Sequence, residues 1–348
     1  MIKNFNYYIK DKKIFDNFIN LLPRKFFDFH VHLWEKSQIV QSVSTERKKT
    51  QPLLDTNTFN EFTYNEFKKI TRVLFEGIHY SGLFFGAPLS EVDIMKSNKM
   101  IEKIISNEKT NGLFIPRPSD NYLYLINNIK RGKFVGFKPY PDLANRDDPK
   151  WVSIKDFLTE EHLNIANNFG LIILLHIPKP GRLNDNQNIN EIKDIALSFP
   201  NIKLVLAHTG RSYCLADIKK NIKKISVLRN VYVDTAMINN WEVVEILLKE
   251  LGPEKILYGS DLPISALRGK NICINDKHYF ITSHPHPWSL SKEGLKISDF
   301  TFFLYEEIRE ILKAISKLKL DHAAIKNIFY KNAINLLNNI NIRQEALI

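Results

Sequence analysis

The chain has 348 residues, of which 44% are hydrophobic and 25% are charged, as is ordinary for a globular protein. No stretch approaches the roughly 18 uninterrupted apolar residues of a membrane span, so we expect no membrane partner. The formal net charge of +11 comes from lysines spread through nearly every segment. Because they form no single basic run, and no basic–aromatic motif accompanies them, we expect no nucleic-acid partner either. The two cysteines, Cys214 and Cys273, are too few for a disulfide scaffold, and a cytoplasmic protein is the default expectation.

Short apolar runs recur along the chain, each followed by a turn signal and then by a segment with helical spacing. Several of these runs are continuously apolar rather than alternating, which is typical of parallel strands covered on both faces. We therefore predict eight strands, at 25–34, 81–88, 112–118, 133–140, 171–178, 202–210, 230–236 and 255–263.

Helices are predicted from apolar residues at helical spacing and from their start and stop residues. Asn190 is a suitable N-cap, Gly170 stands just past a predicted helix end, and Gly252 is followed by proline. After the last strand, 271–282 predicts a hairpin and 284–288 an inserted loop over the mouth of the fold. The predicted helices are 12–22, 90–107, 153–169, 190–199, 240–251 and a C-terminal region at about 300–340.

Strands that alternate with helices fit either a closed barrel or an open doubly wound sheet. The sequence has no G-x-G-x-x-G after its first strand and no G-x-x-x-x-G-K-[ST] motif, so a nucleotide-binding sheet loses its usual support. We predict a (β/α)₈ TIM barrel with an inserted hairpin after strand eight and C-terminal helices. The whole chain, 1–348, is predicted to be one domain with its core at about 26–338.

Ionisable residues stand just past the last buried residue of several predicted strands. His30 and His32 are two apart on one strand, so both imidazoles project from the same face. The carboxyl ends of parallel barrel strands share one mouth, where active sites lie. A titratable group there costs free energy unless it is paired or bound to metal. The others in this position are Lys138, His176, His208 and Asp261.

Five motifs and a C-terminal segment resemble the amidohydrolase superfamily, in particular its amidohydrolase-related branch that includes aminocarboxymuconate-semialdehyde decarboxylase. The resemblance covers about residues 26–338 with the motifs in the family's order. They are D-F-H-V-H at 28–32, G-F-K-P at 136–139, L-L-H at 174–176, L-A-H-T-G at 206–210, Y-G-S-D-L-P at 258–263 and IFYKNAINLL at 328–337.

This resemblance implies one divalent ion, commonly zinc, bound by His30, His32, His176 and Asp261, with His208 as a catalytic residue rather than a ligand. The residue types agree, because imidazoles with one carboxylate suit Zn²⁺ and, less exclusively, Mn²⁺ or Fe²⁺. Such an ion lowers the pKa of water from 15.7 to about 7. We expect Asp261 to take the proton of this water as general base, and His208 to polarise or protonate the reacting group of the substrate.

Lys138 admits three interpretations. As an ammonium it would bind a substrate carboxylate or phosphate, and this interpretation is favoured because G-F-K-P resembles the single-metal branch. If carboxylated, it would bridge two metals, with His176 and His208 holding the second ion. Alternatively, it is a structural partner of a strand-end acid such as Asp28, which we expect to orient ligands rather than bind the ion.

Arg211 and Arg182 follow two of the strand-end histidines and are candidates to bind an anionic substrate through paired hydrogen bonds. Trp34, beside the histidine pair, is a candidate for the wall of the pocket. His278, like His79 and His162, is interpreted as an ordinary surface or packing histidine.

Two reactions are consistent with these residues. The first is hydrolysis of an amide, lactone or ester of a small anionic substrate by a metal-activated water. The alternative is metal-dependent, non-oxidative decarboxylation of an unsaturated or aromatic acid. The expected partner is a small molecule, and a homodimer is left open beside a monomer.

Overall fold

The computed structural model describes residues 5–55, 58–144, 146, 151–293 and 299–340. Eight parallel strands within them pair in chain order into one sheet. Each strand overlaps the run predicted for it. They are β1 (Lys25–His32), β2 (His79–Phe85), β3 (Asn111–Phe114), β4 (Gly136–Phe137), β5 (Ile172–Leu175), β6 (Lys203–Leu206), β7 (Val231–Asp234) and β8 (Ile256–Leu257).

The first strand and the segment after the last one meet and close the sheet into a barrel. The Phe29 N–H donates to the Tyr258 carbonyl (2.8 Å), and the His32 N–H donates to the Leu262 carbonyl (2.9 Å). A parallel bridge joins Val31 to Leu262. These contacts confirm the predicted (β/α)₈ TIM barrel, because an open sheet would leave its first and last strands apart.

The strands are buried on both faces, which explains their continuous apolar runs. Every residue of β5 has no exposed surface, and the last three residues of β6 are also fully buried. Side chains from alternate positions therefore fill the barrel interior or pack against the outer helices.

The helices lie around the barrel, and each predicted helix overlaps one of them. The prediction missed two helices of 11 residues, Tyr64–Leu74 and Tyr122–Gly132, and several shorter ones. Helices Thr45–Thr50 and Tyr64–Leu74 lie between β1 and β2. A π-helical turn (Asn327–Lys331) interrupts the C-terminal helices. The helices are α1 (Ile9–Phe18), α2 (Thr45–Thr50), α3 (Tyr64–Leu74), α4 (Ile94–Glu108), α5 (Tyr122–Gly132), α6 (Glu160–Phe169), α7 (Asn186–Ser198), α8 (His208–Arg211), α9 (Leu215–Lys219), α10 (Ile222–Ser226), α11 (Trp241–Leu251), α12 (Phe303–Lys317), α13 (His322–Lys326) and α14 (Asn332–Asn338).

Helix ends follow the predicted signals in one case and differ in another. Gly170 follows α6 with φ +63°, the left-handed conformation that glycine adopts without strain. Helix α7 begins earlier than expected, because Asp185 rather than Asn190 is its N-cap. The Asp185 carboxylate accepts hydrogen bonds from the Gln187 and Asn188 N–H groups.

The segment after β8 forms the predicted hairpin, β9 (Gly269–Ile274) and β10 (Lys277–Thr282), whose strands pair antiparallel. The two-residue turn between them, Asn275-Asp276, has positive φ at both positions, as such tight turns require. A disulfide between Cys214 and Cys273 attaches this hairpin to the start of α9, a link that the sequence analysis did not predict. Among the described residues, no helix has the length and apolar character needed to cross a membrane.

Candidate active site

A cavity of about 260 Å³ lies at the carboxyl ends of the barrel strands. Its lining brings together most of the residues that the sequence predicted for the site, at the strand ends and in the loops that follow them. These are His30, His32, His176, His208, Asp261, Arg182 and Arg211.

Two imidazole nitrogens, of His30 and His32, and one carboxylate oxygen, of Asp261, lie close together on the floor of this cavity. The Nδ1 atom of His30 lies 2.8 Å from the Asp234 carboxylate, and that of His32 lies 3.1 Å from the Gly86 carbonyl. The Gly86 carbonyl and the ionised form of the Asp234 carboxylate only accept hydrogen bonds, so beside them each neutral ring carries its proton on Nδ1 and presents an unprotonated Nε2. These Nε2 atoms lie 3.5 and 3.4 Å from the same oxygen, Oδ1 of Asp261.

With both rings neutral these three atoms are all hydrogen-bond acceptors, and a single cation between them would satisfy all three. The Nε2 atom of His30 is buried and has no hydrogen-bond partner among the described residues. Ligand atoms of His30, His32 and Asp261 lie within 4.8 Å of one another. The residues present therefore fit a divalent metal ion whose ligands include imidazole nitrogen and carboxylate oxygen.

The backbone places these ligands by close contact between β1 and the end of β8. The Asp261 N–H donates to the His30 carbonyl (2.9 Å), and Asp261 has φ +66°. A Cβ on Gly259 would lie 2.9 Å from the Cβ of His30, closer than real side chains approach. Glycine in the Y-G-S-D motif is thus required for the two ligand segments to meet.

The structure places His176 in the same cavity but outside that group of three. Its ring centroid lies 5.4 Å from that of His208, and its Nδ1 is buried with no hydrogen-bond partner among the described residues. Burial holds the pKa of His176 well below its usual value, so the ring is neutral, as a metal ligand must be. Its assignment as a fourth ligand stays a prediction.

The short segment α8, which His208 begins, is a left-handed turn rather than a regular helix, because every residue through Arg211 has positive φ. Non-glycine residues rarely adopt this conformation, and they concentrate at functional sites. The backbone N–H of His208 donates to Asp234 (2.6 Å), and its Nδ1 donates to the Ala236 carbonyl (3.1 Å). Burial lowers the pKa of His208 to about 4. The ring is therefore neutral with an unprotonated Nε2, which accepts a proton rather than donating one.

Asp234, at the end of β7, is the main residue that the sequence analysis missed. It was included in the seventh predicted strand without a role, although it occupies the same strand-end position as the predicted residues. One of its oxygens contacts His30, and the other accepts the N–H groups of His208 and Ala236. Burial raises the pKa of Asp234 to about 7, and the nearby Lys138 ammonium acts in the opposite direction.

Lys138 is fully buried and does not line the cavity, so the direct substrate contact that we expected is not seen. Its Nζ has no hydrogen-bond partner among the described residues and lies 5.0 Å from the ring centre of Phe85. Burial lowers the pKa of Lys138 to about 8, against the opposing charges of Asp234 and Asp261. The ammonium is a buried countercharge to these two carboxylates rather than part of the cavity wall.

Within the described residues Asp28 has no hydrogen bond to an imidazole and instead joins the backbones of the two ligand segments. It accepts hydrogen bonds from the N–H groups of His30 (3.1 Å) and Ser260 (2.8 Å), and from the Tyr80 hydroxyl (2.7 Å). Burial raises the pKa of Asp28 to about 6, although the bonds from Ser260 and Tyr80 lower it. Asp28 therefore acts on ligand position through the main chain.

The two predicted arginines lie in the cavity wall but differ in their partners. Arg182 donates to Asp217 (3.2 Å) and to His278 (3.1 Å). Arg211 donates only to the carbonyls of Ile177 and Lys179, each at 3.3 Å, and within the described ranges it has no carboxylate partner. Burial lowers the pKa of Arg211, and the neighbouring charge of Arg182 acts in the same direction.

Trp34 does not form part of the pocket wall, contrary to the expectation from its place beside His32. Only 1% of its surface is exposed, and its ring packs against Phe59 and Phe62. Its ring is therefore part of the hydrophobic core rather than of the cavity wall.

The hairpin supplies cavity residues that the sequence analysis had assigned to packing or left without a role. His278 and Phe280, both on β10, line the cavity together with Tyr213 from the loop after β6. His278 stacks on Tyr213 with ring centroids 4.3 Å apart. The hairpin therefore covers the barrel mouth, as predicted, and His278 is not an ordinary surface histidine.

A family model described as amidohydrolase matches residues 27–338 of this chain. The chain belongs to the amidohydrolase family. This membership confirms the resemblance found in the sequence motifs and makes the protein an enzyme of the amidohydrolase type, from a metal-dependent family. A search of curated proteins finds no match.

Solved structures similar to this amidohydrolase share its fold at low sequence identity. The 5-carboxyvanillate decarboxylase LigW from Sphingomonas paucimobilis is 10% identical with a TM-score of 0.54, over 91% of this chain and 99% of that one. An amidohydrolase from Burkholderia multivorans with bound zinc is 11% identical with a TM-score of 0.56, over 90% and 99%. Amidohydrolase 2 from Bifidobacterium longum subsp. infantis is 12% identical with a TM-score of 0.51, over 90% and 98%.

Proposed function

We propose that this amidohydrolase is a metal-dependent hydrolase that cleaves an amide, lactone or ester bond of a small anionic substrate. The observation that carries the proposal is the convergence of the two Nε2 atoms and Oδ1 of Asp261 on the floor of a cavity. The Arg211 guanidinium in the wall supports an anionic substrate, because among the described residues it donates only to two carbonyls and has no carboxylate partner, and a largely buried charge without one is unfavourable.

We propose one divalent ion per chain, held by His30, His32 and Asp261, with His176 as a further ligand. Zinc is favoured by the imidazole-rich set, with Mn²⁺ or Fe²⁺ as alternatives, and the similar Burkholderia amidohydrolase contains zinc. When bound, such an ion would acidify water and polarise the reacting carbonyl of a substrate. A second ion with carboxylated Lys138 is the less favoured alternative.

The residues of the chain divide the remaining work. Asp261 is the proposed general base, and Asp234 keeps the Nδ1 proton of His30 in place so that Nε2 stays free. His208, whose Nδ1 donates to the Ala236 carbonyl, can accept a proton at Nε2. Its expected role as a proton donor requires a second proton on the ring, which burial disfavours. Arg211 would bind a carboxylate of the substrate and orient the bond to be cleaved.

The test combines metal analysis with a substrate screen on protein purified without a histidine tag. We expect about one ion per chain, and hydrolysis of at least one member of a panel of anionic lactones, esters and amides. Asp261→Asn should lose this activity, whereas Asp194→Asn, at an exposed position on α7, should retain it. Nearly two ions per chain, with added mass on Lys138, would favour the binuclear alternative.

Release of CO₂ from an unsaturated or aromatic acid, without hydrolysis of any panel member, would replace the hydrolase by the decarboxylase alternative. The same donor set and the same arginine serve both reactions, and the fold is shared with a decarboxylase, LigW. The reaction must therefore be decided by products rather than by geometry.

We further propose that the chain acts as a single catalytic domain on a small molecule, without nucleic acid or membrane partners, and leave a homodimer open beside a monomer. A steep loss of DNA or RNA affinity with salt would contradict the first of these statements. A cytoplasmic location is also a proposal. The cytosol keeps thiols reduced, so an oxidised Cys214–Cys273 pair in protein extracted with a thiol-blocking reagent would argue against it.

A further inference from the structure

The hairpin outside the barrel brings one histidine, His278, to the cavity and fixes its ring on two sides. The Nη2 of Arg182 lies 3.1 Å from Nδ1 of His278. The ring also stacks on Tyr213, with centroids 4.3 Å apart and 20° between the planes. Phe280, two residues along β10, contacts the same ring edge-on at 4.8 Å.

The contact with Arg182 determines where the imidazole proton lies. A guanidinium can only donate hydrogen bonds, so Nδ1 of His278 must accept and cannot carry a proton. Burial lowers the pKa of His278 to about 3, and the charges of Arg182 and Arg211 act in the same direction. The ring is therefore neutral, and its single proton is on Nε2.

This Nε2–H group is a donor without an acceptor. The His278 residue lines the cavity, while the Nε2 atom itself is buried and has no hydrogen-bond partner in the described part of the chain. A buried donor without a partner is unfavourable unless something else satisfies it. An oxygen atom of a ligand in the cavity would do so once a small rotation of the ring exposes this buried atom to the cavity.

The disulfide holds this arrangement in place. Cys273 is the register partner of His278 across the hairpin, and Cys214 directly follows Tyr213, on which His278 stacks. The covalent link and the ring stack thus join the same two segments at adjacent positions. The hairpin cannot slide along the mouth of the barrel without breaking one of them.

We propose that His278 is a substrate-binding residue whose Nε2–H donates a hydrogen bond to a carboxylate or carbonyl oxygen of the ligand. The role rests on the proposed function, since it requires a small anionic molecule in this cavity. A neutral donor that lines the same cavity as the Arg211 guanidinium selects a ligand with oxygen acceptors and disfavours one with an ammonium group.

The first experiment measures binding of phthalate, a small aromatic dicarboxylate, to metal-loaded protein by calorimetry. His278→Phe keeps a flat ring to stack on Tyr213 but removes the donor, and we expect about tenfold weaker binding. His322→Phe, at an exposed position on α13, is the matched control and should bind as the wild type does. Equal affinities of wild type and His278→Phe, or no binding by either, would overturn the proposal.

The second experiment needs no variant of His278 itself. In wild-type protein with ¹⁵N-labelled histidine, we expect the His278 ring to be protonated at Nε2 and its signal to move when phthalate is added. Arg182→Met removes the donor to Nδ1 and should give a mixture of the two tautomers. A wild-type ring protonated at Nδ1, or an Nε2 signal that phthalate leaves unchanged, contradicts the assignment.

The two proposals can fail separately. Phthalate binding that depends on His278, in a protein that turns over no compound of the panel, would overturn the proposed reaction alone. Hydrolysis of a panel member by His278→Phe with unchanged KM would overturn the role of His278 alone.

Discussion

Replacing Asp234 by asparagine tests the tautomer argument on which the metal site rests. One carboxylate oxygen, Oδ1, accepts the N–H groups of His208 (2.6 Å) and Ala236 (3.2 Å), and the other, Oδ2, lies 2.8 Å from Nδ1 of His30. In Asp234→Asn the amide oxygen must stay with the two N–H donors. The amide NH₂ then faces His30 and donates to Nδ1, which moves the ring proton to Nε2.

A proton on Nε2 removes the lone pair of His30 that faces Asp261. To bind the ion, His30 must carry its proton on Nδ1. The variant must then either turn the amide at position 234, which breaks its bonds to His208 and Ala236, or place the amide NH₂ against the Nδ1–H of His30. Residues that orient a metal-binding histidine typically change affinity by about 10- to 100-fold. At about 1.4 kcal/mol per factor of ten, the expected loss is about 1.4–2.8 kcal/mol of binding free energy.

The assay is competition between metal-free protein and a chromophoric chelator for Zn²⁺. The exposed variant Asp194→Asn serves as the control for removing one carboxylate, and circular dichroism checks that both variants fold. Asp234→Asn with the zinc affinity of the wild type would refute the reasoning, because the amide cannot hold the same tautomer.

Four further perturbations have defined outcomes. Burial lowers the pKa of His162 to about 4, below its ordinary 6.5, so the unfolded chain takes up a proton at higher pH than the folded one. His162 should therefore contribute about 3 kcal/mol to the loss of stability between pH 6.5 and 4, and in chemical unfolding the loss shown by His162→Gln should be smaller than that of the wild type by this amount. Cys273→Ser opens a disulfide between residues 59 apart and should lower stability by about 4 kcal/mol, with no added effect of dithiothreitol on the variant. Gly259→Ala brings a Cβ within 2.9 Å of that of His30 and should reduce zinc content while the fold persists by circular dichroism. Arg211→Gln should raise KM for the active anionic substrate about tenfold or more, whereas its neutral methyl ester should be bound equally by variant and wild type.

The fold could be predicted from the sequence because its signals are local. A buried parallel strand is covered on both faces, so each of the eight strands appears in the sequence as a short apolar run, and several of these runs are continuous. The hairpin was equally local, since a short turn joins its two strands. The N-cap of α7 was misplaced because the segment from Asp185 to Asn190 offers several polar residues, and the local sequence does not select among them.

Part of the candidate site could also be predicted from the sequence, because the carboxyl ends of the strands of a barrel converge at one mouth whatever the details of packing. That rule brought His30, His32 and Asp261 together, and it applied equally to Asp234, whose role was not recognised. It could not show that the side chains of Trp34 and Lys138 are buried and do not line the cavity. Both outcomes depend on which way a side chain points beyond the end of its strand.

By itself, the sequence determined the barrel, the order of its strands and the donor atoms available at its mouth. Only the tertiary structure decided which of those donors carry protons and which face one another. His30 and Asp234 are 204 positions apart in the chain, yet their 2.8 Å contact decides which imidazole nitrogen remains free. Such tautomers depend on the partner across the barrel, and His278 depends in the same way on a hairpin joined to a distant loop. Local pattern does not record long-range contacts of this kind, because each residue type is compatible with several partners until the chain has closed.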